Sequence, residues 1–161
     1  MGHWSDPSMV YQLMNIFVLD RDPEIAAQFL MDKHVVKMAL ETAQILSTIN
    51  GGPYLPTHTD HPCVRWASEA IDNYRWLVKH GLAICSEYTY RYGKIHKCQE
   101  VIWLLEDPYE IELPAGSTPF VKCMPPTYKQ FDVVESYRRY YESKASFAAW
   151  TIREKPYWWL T

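Results

Sequence analysis

Residues 33–49, KHVVKMALETAQILSTI, are apolar or small around most of a helical wheel. At 100° per residue, Lys33, Gln44, Lys37, Thr48, Glu41 and His34 fall in that angular order within an arc of about 100°. Val35, Val36, Met38, Ala39, Leu40, Ala43, Ile45, Leu46 and Ile49 occupy the rest. A surface helix normally has the opposite proportions, with a polar face wider than its apolar stripe. The pattern therefore predicts a helix buried on most sides and carrying one narrow polar strip. Traced backwards, the same arc holds the apolar Ala26 and Leu30. The phase changes, which predicts a break near Asp32-Lys33. Lys33 and His34 then lie near a helix N-terminus, where the backbone dipole favours an anion.

Local punctuation sets the other elements. NIFVL (15–19) reads as a buried strand or an extended lead-in. Asp22-Pro23-Glu24 starts a helix, with Asp at the N-cap and Pro at the first helical position. The helical pattern runs to about Ile49 and is stopped by Asn50-Gly51-Gly52-Pro53. Pro62 opens a second long helix, capped by Asp60 or His61, that reaches about Tyr92 and ends at Gly93, with Gly81 marking a bend. A third helix covers Lys94 to Leu105. Residues 107–127 contain five prolines and read as irregular. A fourth helix covers Asp132 to Ser146, and the aromatic tail KPYWWL docks back on the body. The expected fold is mainly α: a single compact helical domain over residues 14–161, with two long central helices and a Pro-rich loop before the C-terminal helix. Residues 1–13 read as an N-terminal extension or tag, with Met14 as the natural start.

Charge and composition narrow the partners. The net charge of −3 gives no global attraction to nucleic acid, so any such contact needs a local basic patch. Seven Trp and twelve Tyr exceed what a core of this size needs, which predicts an aromatic-lined groove. The cysteines Cys63, Cys85, Cys98 and Cys123 form no CxxC pair and suit a reduced, cytoplasmic protein. No apolar run approaches the ~18 residues of a membrane span. No cofactor is called for.

The candidate catalytic residues are Lys33, His34, Lys37 and Glu41. A lysine in an apolar wall has a lowered pKa and acts as nucleophile or base. His34 is a candidate acid or base near neutral pH, and Glu41 pairs with Lys37 one turn away. The bland reading is a solvated strip on a central helix. Gln44 extends the strip as a substrate contact. In THTDHPCVRW, His58, His61, Arg65 and Trp66 offer phosphate contacts at a helix start. His58, Asp60 and His61 are weak metal ligands, and simple helix capping is the competing account. Arg91 and Lys94 sit among tyrosines in EYTYRYGK, a spacing that suits phosphate contact with base stacking or ordinary interhelical packing. Tyr137, Arg138, Arg139, Tyr140, Tyr141 and Lys144 continue the aromatic–basic theme near the C-terminus.

AAQFLMDKHVVKM, then HPCVRWASEAIDNYRWLVKHGLAICSEYTYRYGK, then the tyrosine-rich C-terminus resemble the phage-type pyrimidine dimer DNA glycosylases, over roughly residues 15–160. The resemblance implies an all-helical enzyme that flips a base from kinked DNA. It also implies attack on C1′ by an N-terminal amine, assisted by a glutamate of the first helix. Aligned on QFLM without gaps, the chain has Val36 in the glutamate's place, with Glu41 the nearest carboxylate. No N-terminal threonine follows an initiator Met here, so Lys33 or Lys37 would supply the amine. The expected function is an intracellular enzyme acting on DNA, a nucleobase or a nucleotide. The alternatives are a non-catalytic accessory protein that binds nucleic acid or a host protein, and a metal hydrolase using the histidines.

Overall fold

A computed structural model describes residues 9–160, and the described residues form seven α-helices, two short 3-10 turns and no strands. The helices are α1 (Met9–Leu13), α2 (Pro23–Phe29), α3 (Asp32–Asn50), α4 (Pro62–Glu69), α5 (Ile71–Tyr92), α6 (Cys98–Leu104) and α7 (Val133–Glu142). The expected mainly α class holds. No described helix is long and apolar enough to cross a membrane.

α3 and α5 are the two long central helices. α3 packs on α4, α5 and α6, and α2 lies along α5. The predicted break between α2 and α3 falls at Leu30 and Met31, both extended and fully buried. Asp22 caps α2, accepting the N–H groups of Glu24 and Ile25. No side chain caps α3. Tertiary contacts supply its start: the Met31 N–H donates to the Tyr141 hydroxyl at 2.9 Å, and the Asp32 N–H to the Ala149 carbonyl at 2.8 Å. Gly51, with φ of 66°, closes α3 in the left-handed conformation that glycine adopts without steric cost.

The segment NIFVL is extended and buried, but it pairs with no strand. The Asn15 side chain replaces sheet pairing, since its Oδ1 accepts from the N–H groups of Ile16 and Phe17. Phe17 then turns through a positive φ of 39°, which lays its ring on His34.

The expected helix from Pro62 to Tyr92 is two helices. Ala70 is extended between α4 and α5. The Pro-rich segment causes the break. Pro114 and Gly116 carbonyls accept the N–H groups of Ile71 and Asp72. Asn73 bonds the Trp66 carbonyl and Thr118, fixing the corner. No glycine or proline marks this point. α5 runs unbroken through Gly81, which serves close approach: a Cβ there would lie 2.6 Å from Thr42 Cγ2.

α6 is shorter than expected because His96 turns the chain first. Its Nδ1 accepts the Cys98 N–H, and its Nε2 donates to the Val36 carbonyl. α7 starts at its Asp132 cap and gives way at Ser143 to a 3-10 turn, Ala145–Phe147. The tail docks as expected. Trp159 is buried, and Arg138 sits over the rings of Phe29, Tyr157 and Trp158.

Candidate functional site

The polar strip of α3 runs from solvent into the protein. Lys33 and Lys37 are exposed, Gln44 is half-buried, and His34 and Glu41 are buried. Val36 and Leu40, expected inside, are 47% and 41% exposed. They occupy the outer face of α3.

The buried end of the strip opens into a cavity of about 330 Å³, within the ~300–1,000 Å³ typical of small-molecule sites. Lys33, His34, Lys37, Met38 and Glu41 form one wall, and Tyr11, Gln12, Asn15 and Phe17 another. Lys144 and Phe147 close the third side. All four candidate catalytic residues thus meet in one place. The lining also brings in residues that periodicity did not single out for the site. Lys144 read only as part of the aromatic–basic run near the C-terminus. Asn15 and Phe17 read only as a lead-in.

Glu41 lies at the floor. Its Oε1 accepts the Asn15 backbone N–H at 2.9 Å. Its Oε2 faces Lys37 Nζ at 3.6 Å and makes no hydrogen bond. Burial pushes the carboxyl up to about 7, against the Asn15 N–H and Lys37, which pull it down. Glu41 is therefore about half protonated at neutral pH, the state that both gives and takes protons.

His34 is held differently. Its Nδ1 lies 2.7 Å from the Tyr141 hydroxyl, which already accepts the Met31 N–H. The consistent arrangement is a Tyr141 O–H donating to Nδ1, with the proton of the ring on Nε2. Burial, then Lys144, Lys37 and Lys33, push its pKa down to about 3. His34 is a neutral ring at pH 7, stacked on Phe17 at 4.6 Å.

Three lysines line the cavity, and Lys37 is the one beside Glu41. Lys33 lies over the Phe147 ring at 4.9 Å, and Lys144 over the Tyr140 ring at 4.5 Å. Burial and the two neighbouring lysines lower the pKa of Lys144. The cavity can hold an anion, offers one amine of lowered pKa at Lys144 and can move a proton at Glu41.

The other sequence candidates lie outside this lining. His58 bonds Thr57 Oγ1 at 2.7 Å in the loop that Thr48 ties to α3. His61 caps α4, its Nδ1 accepting the Cys63 N–H. Arg65 is exposed, 3.9 Å from Asp60. Trp66 is core and stacks on Phe120. Lys94 is exposed beyond the end of α5. Arg91 is fully buried and bonds Glu87, Asp32 and the Gln28 carbonyl. Thr151 and Arg153 join the same network through Asp32 and Glu87. A cavity of about 460 Å³ opens beside it, with the Arg153–Glu87 ion pair in its wall. Among the described residues, one group has metal-ligand spacing, and it joins His61 to Cys63 and Cys123, without His58 or Asp60.

The family model for pyrimidine dimer DNA glycosylases matches residues 14–100, just over half of the chain. No curated protein and no solved structure matches.

Proposed function

The chain belongs to the pyrimidine dimer DNA glycosylase family, and from that kinship we propose that the lysine-lined cavity receives a damaged nucleotide of DNA and breaks its glycosidic bond. One observation carries the reading. A buried carboxyl with a raised pKa shares a cavity of about 330 Å³ with three amines, the kind of pocket into which a base-flipping enzyme takes its target. Lys33 and Lys37, at the mouth, hold phosphate. Lys144, whose pKa is lowered by burial and the two neighbouring lysines, is the nucleophile. Glu41 handles the protons.

The step balances as follows. Lys144 Nζ bonds to C1′ as the bond from C1′ to the base breaks, and protonated Glu41 gives its proton to the departing base. The new ammonium returns a proton to Glu41. The C1′–O4′ bond then opens, O4′ takes that proton, and an iminium joins Nζ to C1′. Borohydride reduces this species to a stable adduct.

A second reading rests on the 2.9 Å bond from Asn15 N to Glu41. In a chain beginning at Asn15, that nitrogen would be a terminal amine on the same carboxylate. Trapping on duplex DNA that carries a pyrimidine dimer or an abasic site separates the two. With the full chain, the adduct should form and fall at least about 100-fold in Lys144→Ala. It should persist in Lys33→Ala and Lys37→Ala, with weaker binding. A chain starting at Asn15 that traps despite Lys144→Ala assigns the amine to Asn15. No adduct from either chain sinks the covalent reading, and tight DNA binding without an adduct would favour a non-catalytic role.

A further inference from the structure

We propose that His61, Cys63 and Cys123 form a site for a thiophilic divalent cation of the zinc class. It is separate from the lysine-lined cavity and lies directly behind its floor, and it does not depend on the glycosylase reading. The three ligand atoms lie within 4.8 Å of one another. Tetrahedral zinc with sulfur at ~2.3 Å and nitrogen at ~2.0 Å sets its ligands roughly 3.5–4 Å apart. Closing the group needs movements below about 1 Å. The ligands come from the start of α4 and from the Pro-rich segment, so sequence spacing hides them.

Three further features fit an ion. All three residues are buried, Cys63 fully and Cys123 at 2% exposure. His61 Nε2 lies 2.7 Å from the Val10 carbonyl, and Nδ1 accepts the Cys63 N–H. Nε2 therefore carries the proton, and Nδ1, whose single lone pair accepts the Cys63 N–H in the ion-free fold, would exchange that bond for the cation. An outer hydrogen bond of this kind orients most metal-binding histidines. The charge also balances. A dication that displaces one proton from each thiol leaves a neutral bis-thiolate site, which an apolar interior tolerates. The fourth position is left to water or a carbonyl, and the Met14 carbonyl lies 3.9 Å from Cys123 Sγ.

The site would act as a clamp. The Cys123 carbonyl accepts the Asn15 side chain at 2.9 Å, and Asn15 N holds Glu41. A cation here ties α4, the Pro-rich segment and the Met14–Asn15 segment together, fixing the floor of the cavity.

The test uses full-length protein, reduced with a phosphine and stripped with a chelator, then titrated with Co²⁺. One Co²⁺ per chain should bind, giving thiolate-to-cobalt charge-transfer absorption in the near ultraviolet that Zn²⁺ abolishes. Zn²⁺ at about 100 times its Kd should raise the Tm by roughly 5–10 °C and protect Cys63 and Cys123, read by mass spectrometry, from alkylation. Cys63→Ser, Cys123→Ser and His61→Asn should each weaken Co²⁺ binding at least tenfold, the last while keeping an acceptor to cap α4. Cys85→Ala with Cys98→Ala should leave it intact. Should a variant fail to fold, the stoichiometry, absorption and protection of the native chain decide. Absence of the absorption band, or its survival in Cys123→Ser, overturns the proposal. So does a reduced protein that ignores Co²⁺ but joins Cys63 to Cys123 in a disulfide on mild oxidation.

Discussion

Glu41 is subject to opposed forces. Burial favours its neutral form, while the Asn15 N–H and Lys37 favour the carboxylate. Burial wins, and the pKa rises from 4.5 to about 7. The consequence for stability has a definite sign. Between these values the native state holds a proton that the unfolded chain has released. Raising the pH through that window therefore destabilises the fold, by about 1.4 kcal/mol per unit and about 3 kcal/mol in all above pH 7. Glu41→Gln carries no charge and still accepts the Asn15 N–H. Its Tm should exceed that of the native chain by roughly 5–10 °C at pH 8, and the gain should vanish near pH 4.5. Adduct formation should fall about 100-fold or more over the same range. Melting curves and trapping, both across pH, check this. A variant that gains no stability at pH 8 would show that Glu41 is not held near neutrality. Burial acts on His34 in the same sense: with three lysines nearby it stays neutral. It shapes the wall rather than titrating there.

At the scale of elements, α3 and α5 approach closely because Gly81 offers no side chain to Thr42. In an isolated helix Gly→Ala would stabilise by about 1 kcal/mol. Here the added methyl would meet Thr42 Cγ2 at 2.6 Å and Ile102 Cδ1 at 3.0 Å. Overpacking of this kind costs ~1–3 kcal/mol, and the branched Thr42 has few rotamers with which to escape. Gly81→Ala should lower the Tm by a few degrees, and Thr42→Ser should recover most of the loss. A double-mutant cycle of thermal melts reads the coupling, and purely additive effects would refute the contact. The same elements show what the sequence made legible. Helix ends with local chemistry were readable: Asp22, Gly51, Gly93 and Asp132 act on their own neighbours. The break at Ala70 was not, because the groups that impose it lie about forty residues downstream, at Pro114 and Gly116. The polar strip was readable because one helix carries it. Asn15 and Lys144 complete the cavity from either end of the chain, and no periodicity links them to α3. Glu41, five residues beyond Val36, became the site carboxylate for a spatial reason: it lies against Asn15 N, while Val36 faces out.

Over the whole molecule the charge is −3, so the far field repels DNA weakly. Binding to an anionic duplex has to come from local concentration of charge. Many of the arginines are already engaged: Arg91, Arg138, Arg139 and Arg153 pair with carboxylates within the fold. The cluster at the cavity is different, because Lys33, Lys37 and Lys144 line it with Glu41 as its one carboxylate, which lies nearest Lys37. With Lys33 and Lys37 as the proposed phosphate contacts, the salt dependence of DNA affinity counts them. Each contact contributes ~0.9 to the slope of log K against log salt. Replacing Lys33 and Lys37 by Ala should lower that slope by about 2, and adding Lys144→Ala should change it little further. Lys94→Ala, on the exposed end beyond α5, should leave it unchanged. Fluorescence anisotropy on a dimer-containing duplex between about 50 and 200 mM salt measures all four. A full slope retained by the triple variant would move the DNA surface away from the cavity. A drop with Lys94→Ala of the size expected for Lys37 would extend it along α5, to the tyrosine-rich end of that helix.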